Sequence, residues 1–337
     1  MIKKINYIGS KFKLLPWVKS EIKKVVGSDL SEKVFCDMFA GTGIVGQTFK
    51  KEVKKIISND LEQYSFVLNK NYIQNHKPIK NRKKYIDDLN NLPLIDSGFI
   101  YQNYCLGSKS GRQYFSDVNG KKIDAIRTKI KQWYECKEIE DDLYYFLLAT
   151  LLESADKIAN TASVYGAFLK HLKKSASVEL VLEPANFIEN KNSHQVFNKD
   201  SNELIKEISG DILYLDPPYN QRQYGANYHI LNTIALYDDF VPTGKTGLRD
   251  YNHSSYCKKK KVHESFEELI KNAKFKYIFL SYNNEGLMSK QDVKTIMSKY
   301  GKYSMEIKQY LRFKATKINN RNHKTTFTKE YLHILIK

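Results

Sequence analysis

The stretch VFCDMFAGTGIVGQTF, residues 34–49, indicates the fold of this chain. A short apolar run over residues 34–39 ends in glycines, and apolar residues then recur at helical spacing over residues 44–49. This pattern predicts a strand, a tight turn and a helix. Units of this kind build a parallel, doubly wound α/β sheet.

The segments on either side continue the alternation of strands and helices. Helices are predicted over residues 12–26 and 63–72, and strands over residues 54–57, 212–215, 277–281 and 331–336. The middle of the chain differs, with little periodicity over residues 78–120 and then two predicted helices, over residues 121–137 and 140–159. The middle region therefore interrupts an α/β pattern.

We accordingly predict an α/β fold with a Rossmann-like sheet, formed by residues 1–77 and 195–337. Residues 78–194 are predicted to form an inserted, mostly helical domain. A length of 337 residues fits one or two domains, and 42% hydrophobic residues are enough to form a core.

The charge balance favours a partner that carries phosphates. The chain has 55 Lys and Arg against 37 Asp and Glu, a formal net charge of +18. A lysine-rich proteome would give the same excess, so both explanations stay open. Four widely spaced cysteines without zinc-type spacing predict no metal site and reduced thiols. Without a signal-type or membrane-length apolar run, we expect a cytoplasmic protein that does not contact a membrane.

The glycine turn predicts a nucleotide-like cofactor. Gly41 and Gly43 open a Gly-x-Gly-x-x-Gly pattern, which lets the backbone approach a ligand closely. The spacing fits a dinucleotide, with Asp60 placed to bind ribose hydroxyls. Asp37 favours S-adenosylmethionine, because a carboxylate suits its sulfonium and amino groups. A turn needed only for packing stays a further alternative.

A second motif, Asp216-Pro217-Pro218-Tyr219, follows the predicted strand at 212–215 and predicts the chemistry. An exocyclic aromatic amine is a weak nucleophile, because its lone pair is delocalised into the ring. A carboxylate and a backbone carbonyl that accept its N–H groups would localise that lone pair. The two prolines restrict the backbone so that this carbonyl points outward. The tyrosine offers a flat face to a base extruded from the duplex. An ordinary Asp-Pro turn is the structural alternative.

Together with NYIGSK, residues 6–11, these motifs resemble the N6-adenine DNA methyltransferases of the alpha group, similar to DNA adenine methylases. The resemblance implies S-adenosylmethionine as cofactor, with contacts from Tyr7, Lys11, Asp37, Phe39, Gly41, Gly43, Asp60, Asp200 and Asp216. It also implies a core strand at 279–283 and a hairpin at 310–313 that helps to hold the flipped base. The catalytic residues would be Asp216, Pro217, Pro218 and Tyr219.

On this resemblance the insertion, 78–194, is the target-recognition domain. Basic, aromatic and polar residues in and beyond it are predicted to contact double-stranded DNA: Arg112, Lys122, Tyr165, Lys170, Arg222, Tyr224 and Arg312. The lysine run at 258–261 is predicted to bind the backbone. Many of these lysines could instead be ordinary solvated surface.

The predicted activity is methylation of the 6-amino group of adenine in a short duplex site, as part of a restriction-modification system. We also expect a cognate restriction endonuclease and a bacterial, nucleoid-associated location. The 4-amino group of cytosine is the nearest alternative, although Asp216 in place of Ser favours adenine. RNA or protein-amide methylation, a DNA-specificity module without catalysis and a nicotinamide dehydrogenase stay open as more distant alternatives.

Overall fold

The computed structural model describes residue 7, residues 9–311 and residues 327–337. The strands are β1 (Val34–Asp37), β2 (Lys55–Asn59), β3 (Gln195–Phe197), β4 (Ser209–Leu215), β5 (Lys274–Asn283), β6 (Lys302–Leu311) and β7 (Phe327–Ile336). The helices are α1 (Leu15–Val26), α2 (Ile44–Phe49), α3 (Gln63–Asn69), α4 (Arg82–Asn90), α5 (Phe99–Tyr104), α6 (Asp117–Glu135), α7 (Asp141–Ile158), α8 (Ser201–Glu207), α9 (Tyr224–Asn227), α10 (His229–Leu236), α11 (Val262–Asn272) and α12 (Lys290–Met297). No helix among the described residues is long and apolar enough to cross a membrane.

These elements form two compact units. The sheet unit comprises Ser10–Leu61, Asn192–Gln223 and His253–Lys337. The helical unit comprises Met1–Gly9, Glu62–Lys191 and Tyr224–Asn252. It therefore includes residues 78–191 of the predicted insertion at 78–194, together with residues on both sides of it.

The sheet unit contains one seven-stranded sheet in the order β3-β2-β1-β4-β5-β7-β6. Strands β1 to β5 run parallel, and β7 lies antiparallel between β5 and β6. The strand order reverses between β1 and β4, which creates a topological switch point. The carboxyl ends of the parallel strands meet at this edge, and the start of the antiparallel β7 lies beside them.

The core of the sheet unit explains why these segments form strands. The second half of β5 is continuously buried, as expected for a strand covered on both faces. Apolar side chains from β1, β4 and β5 pack with those of α8, α11 and α12. The predicted α/β class and Rossmann-like sheet are confirmed.

The helical unit is built around the long helices α6 and α7. The side chain of Ser116 accepts a hydrogen bond from the Asn119 amide and so caps α6. Arg127 donates to the carbonyls of Ile234 and Ala235 at the end of α10, at 2.9 and 3.1 Å. A cation at this position satisfies carbonyls that have no partner inside the helix.

Residues 78–120, whose sequence shows little periodicity, contain regular structure. Helices α4 and α5 form there, and α6 begins at Asp117, before its predicted start. The short helix α4 buries only Ile86 and Leu89, which is too few apolar residues to give a clear period in the sequence.

Candidate active site

Acidic side chains end the parallel strands at the carboxyl edge of the sheet. Asp37 is the last residue of β1, and Asp60 follows β2 by one position. Asp200 follows β3, and Asp216 comes directly after β4. This concentration of carboxylates, in a chain of net charge +18, indicates a site for a cationic ligand.

The glycine turn between β1 and α2 is fixed by two of these acids. Gly41 and Gly43 have φ angles of 52° and 75°, which a residue with a side chain adopts only under strain. The Asp60 carboxylate accepts a 2.7 Å hydrogen bond from the Gly41 amide. The Asp37 carboxylate accepts from the Gly46 amide at 3.3 Å. These two hydrogen bonds hold the turn in its positive-φ conformation, in which Gly41 and Gly43 are themselves buried.

Asp37 is the most unusual of the acids. Its side chain is buried, and its Oδ1 atom has no hydrogen-bond partner among the described residues. Burial raises the pKa of Asp37 to about 8, and the charges of Asp216 and Asp60 add to this effect, while the Gly46 hydrogen bond opposes it. A buried carboxylate oxygen without a partner is unfavourable unless a ligand donates to it.

The Asp216-Pro217-Pro218-Tyr219 turn follows the buried end of β4. The Tyr219 carbonyl accepts a 2.9 Å hydrogen bond from the Leu287 amide, and the tyrosine ring packs on the core of the sheet unit. The side chain of Asn220 accepts from the Arg222 amide at 2.9 Å. The turn is thus anchored at its tyrosine, and a local hydrogen bond orders the residues that follow it.

Lys11 lies between two carboxylates at this turn. Its ammonium nitrogen is 3.0 Å from Asp216 Oδ1 and 2.9 Å from Glu330 Oε1. The side chains of Lys11 and Glu330 are 6% and 1% exposed, whereas that of Asp216 is 20% exposed and can be reached by a ligand. Ser281 donates a 2.6 Å hydrogen bond to the same oxygen of Glu330.

These contacts set the charge state of Asp216. Burial raises the pKa of Asp216 to about 6, Lys11 opposes the increase, and the negative charge of Glu330 adds to it. Burial alone would lower the pKa of Lys11, but the charges of Asp216 and Glu330 raise it well above its ordinary value. Lys11 is therefore charged, and most of the Asp216 carboxyl is ionised at neutral pH.

Glu330 was not predicted from the sequence. It is completely buried on β7, directly before the apolar run that was predicted as the last strand. The only signal in the sequence was a single acidic residue directly before an apolar run. The contact between Glu330 and Lys11 is known only from the folded structure.

The remaining predicted cofactor residues have varied surroundings. Asp200 caps α8 by accepting from the Asn202 amide at 2.8 Å. Phe39 packs edge-on against Tyr256, with ring centroids 5.0 Å apart. Tyr7 belongs to the helical unit, where its ring stacks on Tyr228 at 5.0 Å. The assignment of these three residues to the cofactor stays a prediction.

Three residues predicted to contact DNA make contacts within the helical unit instead. The Lys122 ammonium is 2.8 Å from Glu179, and its side chain is 8% exposed. Tyr165 is fully buried and donates to Asp156 at 2.9 Å. Arg112 donates to the backbone carbonyls of Asn103, Pro242 and Gly244. These placements favour structural roles, since each side chain is bound to neighbouring groups of the helical unit.

The other predicted DNA contacts differ in accessibility. Lys170 and Arg222 are exposed. Tyr224 is half-buried and stacks on Tyr228, with centroids 6.1 Å apart. Arg312 lies outside the described residues. No cluster of side chains suited to a metal ion occurs in the described part of the chain.

Comparison with known proteins identifies close relatives. The family model described as D12 class N6 adenine-specific DNA methyltransferase matches residues 7–296. The type II methyltransferase M.NlaIII of Neisseria lactamica is 62% identical, and the match covers 99% of both chains. M.CviAII of Paramecium bursaria Chlorella virus 1 is 40% identical over 93% of both chains. M.FokI of Planomicrobium okeanokoites is 38% identical over 88% of this chain and 47% of its own length.

Proposed function

Because the chain belongs to the D12 class of N6 adenine-specific DNA methyltransferases, we propose that its Asp216-Pro217-Pro218-Tyr219 turn carries methyl transfer to the 6-amino group of an adenine extruded from duplex DNA. The observation that supports this role most strongly is the part-exposed Asp216 carboxylate, held by buried Lys11 beside the glycine turn. The family match indicates adenine rather than cytosine as the target base, and it excludes a nicotinamide dehydrogenase as the enzyme class.

The acidic edge of the sheet suits S-adenosylmethionine, the cofactor of this enzyme. The unpartnered Asp37 oxygen, beside the positive-φ glycine turn, fits a donor that carries positive charge. We assign Asp37, Gly41, Gly43 and Asp60 to its binding, while Phe39, Asp200 and Tyr7 rest on the resemblance alone. When bound, the cofactor supplies an electrophilic methyl group on its sulfonium.

Asp216 acts as a hydrogen-bond acceptor for the adenine amine. Lys11 binds the carboxylate through Oδ1, and the other oxygen, Oδ2, is the one that we assign to the substrate. Accepting an N–H from the amine draws its lone pair away from the ring and towards the methyl donor. Lys11 favours the ionised carboxylate, which is a stronger acceptor than the protonated acid. Tyr219 offers its ring to the extruded base.

The lysine run at 258–261 is the best candidate for gripping the DNA backbone. All four lysines are exposed and form no ion pair with a described carboxylate, whereas exposed Lys157 and Lys199 are paired with Glu183 and Glu207. Unpaired ammonium groups release counterions when they bind phosphate.

The run is also tied to the catalytic turn. Gln223 and Ser254 exchange two hydrogen bonds, of 3.4 and 2.9 Å, and the Cys257 thiol donates to the Arg222 carbonyl at 3.4 Å. Exposed Arg222 therefore joins the lysines in the proposed backbone contact. Lys170 stays a candidate in the helical unit, which would contain the target-recognition region.

The relatives named as type II methyltransferases support a restriction-modification role in a short duplex site. A cognate endonuclease would then act on the same site when it is unmodified. We further propose that the enzyme works in the bacterial cytoplasm in association with the nucleoid. Survival of the host DNA during co-expression with a matching endonuclease would test this pairing.

The catalytic assignment is tested with Asp216→Ala. We expect methyl transfer to DNA to be lost, while equilibrium binding of S-adenosylmethionine persists within a few-fold. The cofactor-binding measurement distinguishes a lost acceptor from a damaged cofactor site. Near-wild-type transfer by the variant would contradict the assignment.

A further inference from the structure

We propose that two segments of the helical unit, loop 160–174 and hairpin 242–248, form one surface that binds the phosphate backbone of duplex DNA. Lys170, Lys174 and Lys245 are its phosphate contacts. The proposal rests on the proposed function, since it names the part of the helical unit that meets the DNA substrate. The two segments are far apart in the sequence and come together only in the folded unit.

Loop 160–174 is closed by Asn160, a fully buried residue. The Asn160 side chain donates to the Leu169 carbonyl at 3.1 Å and accepts from the Lys173 amide at 3.0 Å. Its backbone carbonyl accepts from the Leu169 amide at 3.0 Å. Fully buried Tyr165 anchors the middle of the loop. The loop therefore has a fixed conformation before any partner binds.

Three consecutive residues hold both segments. The carbonyls of Gln113 and Tyr114 accept hydrogen bonds from Asn160, at 3.0 and 2.8 Å. Arg112, the preceding residue, donates to two carbonyls of the hairpin at 3.4 and 3.1 Å. Because neighbours in the chain bind the loop and the hairpin, these two segments lie side by side.

A pair of buried tyrosines provides a second set of attachments. The Tyr104 hydroxyl donates to the Gly247 carbonyl in the hairpin at 2.8 Å. The Tyr114 hydroxyl donates to the Tyr165 carbonyl in the loop at 2.7 Å. The rings of Tyr104 and Tyr114 pack edge-on, with centroids 5.9 Å apart. Both segments are thus fastened to one aromatic pair.

The side chains that this surface exposes are basic. Lys170, Lys174 and Lys245 are exposed and form no ion pair with a described carboxylate. No acidic residue occurs between Asp156 and Glu179, and none occurs in the hairpin. Exposed ammonium groups of this kind attract phosphates and release counterions when they bind them.

The acidic residues nearest to the hairpin in the sequence lie at its base. Asp238 is paired with Arg249 through two hydrogen bonds, of 2.9 and 2.8 Å. Asp239 and Asp250 are exposed and lie outside residues 242–248. The hairpin itself therefore carries only the positive charge of its lysine.

The shape of the loop also suits a closely approaching partner. Its exposed residues Ala162, Gly166 and Ala167 are small, so another molecule can come near the backbone. Ser163 has a φ angle of 91°, which is strained for a residue with a side chain. Such strain persists only where surrounding contacts fix the chain, and it is common at binding sites. A fixed loop loses little conformational entropy when DNA binds.

The test changes the three exposed lysines to glutamine in the full chain, singly and together. Glutamine keeps a polar side chain and removes the charge. The matched control changes three acid-paired lysines of the same unit, Lys121, Lys131 and Lys157. Binding to a labelled duplex of random sequence is measured over a range of salt concentrations, because phosphate contacts carry no sequence information.

We expect each single change to reduce the salt slope of DNA binding by about 0.9, and the triple change by about 2.7. The control set should alter the slope far less, and cofactor binding should not change in either set. An unchanged slope in the triple variant, an equal effect of the control set, or an effect confined to one of the two segments overturns the proposal.

Gly166→Glu probes the same surface by adding charge and bulk. Apart from the chain neighbours, the nearest atom to a Cβ at this position is Asn227 Oδ1, 4.0 Å away, so the fold has room for the side chain. The carboxylate should repel phosphates and weaken DNA binding about tenfold or more. The control is Gln132→Glu, an exposed position roughly 20 Å along α6 from its start. DNA affinity of Gly166→Glu equal to that of the control overturns the proposal.

Failure of the proposed function would appear in the wild-type chain, as absence of N6-methyladenine in its DNA substrate. Failure of the surface alone would leave wild-type methylation intact while the lysine and Gly166 variants bind DNA normally.

Discussion

Replacing Lys11 with methionine removes the ammonium that lies 3.0 Å from Asp216 while leaving a side chain of similar length. Two unit charges 4 Å apart interact by about 4 kcal/mol at an effective dielectric constant of about 20. Since about 1.4 kcal/mol corresponds to one pKa unit, an interaction of this size corresponds to a rise of about 3 in the pKa of Asp216 when the ammonium is lost. Side-chain relaxation and the remaining solvent access reduce this, so we expect a rise from about 6 to roughly 8.

Because the pKa of Asp216 rises, the acidic limb of the pH profile of kcat/KM should move to higher pH. At pH 7 a group with a pKa near 6 is about 90% ionised, and one with a pKa near 8 about 10%, so activity should fall roughly tenfold. It should recover towards the wild-type value near pH 9. The assay is methyl transfer to duplex DNA at saturating cofactor between pH 5.5 and 9.5, with the cofactor dissociation constant measured in parallel.

Lys13→Met is the matched control, because Lys13 lies in the same short 3-10 helix, Lys11–Lys13, but is exposed. It should leave the acidic limb in place. The resemblance alone would assign Lys11 to the cofactor, and that role predicts weaker cofactor binding with an unmoved limb. This outcome for Lys11→Met would refute the electrostatic reasoning.

Three further predictions concern the cofactor site, the helical core and DNA. S-adenosylmethionine should bind more tightly in calorimetry as the pH rises from 7 to 9, because Asp37, with its pKa of about 8, must lose its proton to attract a cation. Asp37→Asn should weaken cofactor binding and flatten this pH dependence. Cofactor binding to the wild type that does not change with pH would contradict the assignment. Tyr165→Phe should lower the free energy of unfolding by about 1–3 kcal/mol, because buried Asp156 loses the hydrogen bond from the Tyr165 hydroxyl. An unchanged melting curve together with weakened DNA binding would instead support Tyr165 as a DNA contact. Changing the four lysines at 258–261 to glutamine should reduce the salt slope of DNA binding by about 3.6, at roughly 0.9 per phosphate contact. Changing the acid-paired Lys54, Lys157, Lys199 and Lys299 together should alter the slope far less. Equal effects of the two sets would argue against a localised contact.

The sheet could be predicted from the sequence because its signals are local. The apolar run that ends at Asp37 and the helical spacing over 44–49 depend only on neighbouring residues, and α2 forms over the predicted range. The turn at Asp216 was recognisable for the same reason. Each of these segments carries its own pattern.

Features that depend on distant partners could not be predicted. Tyr165 and Lys122 were expected at the DNA because of their residue types, yet Asp156 and Glu179 hold them inside the helical unit. Glu330 is at the opposite end of the sequence from Lys11, so the charge cluster exists only in the folded chain. Residue type indicates which chemistry is available, and tertiary structure decides which residues supply it.

The most direct test of the central claim is single-molecule sequencing of DNA from methylation-free bacteria that express either the wild-type chain or Asp216→Ala. We predict N6-methyladenine at one short recurring sequence in the wild-type strain and none above background in the variant strain. N4-methylcytosine in the wild-type strain, or an equal adenine signal in both strains, would contradict the account.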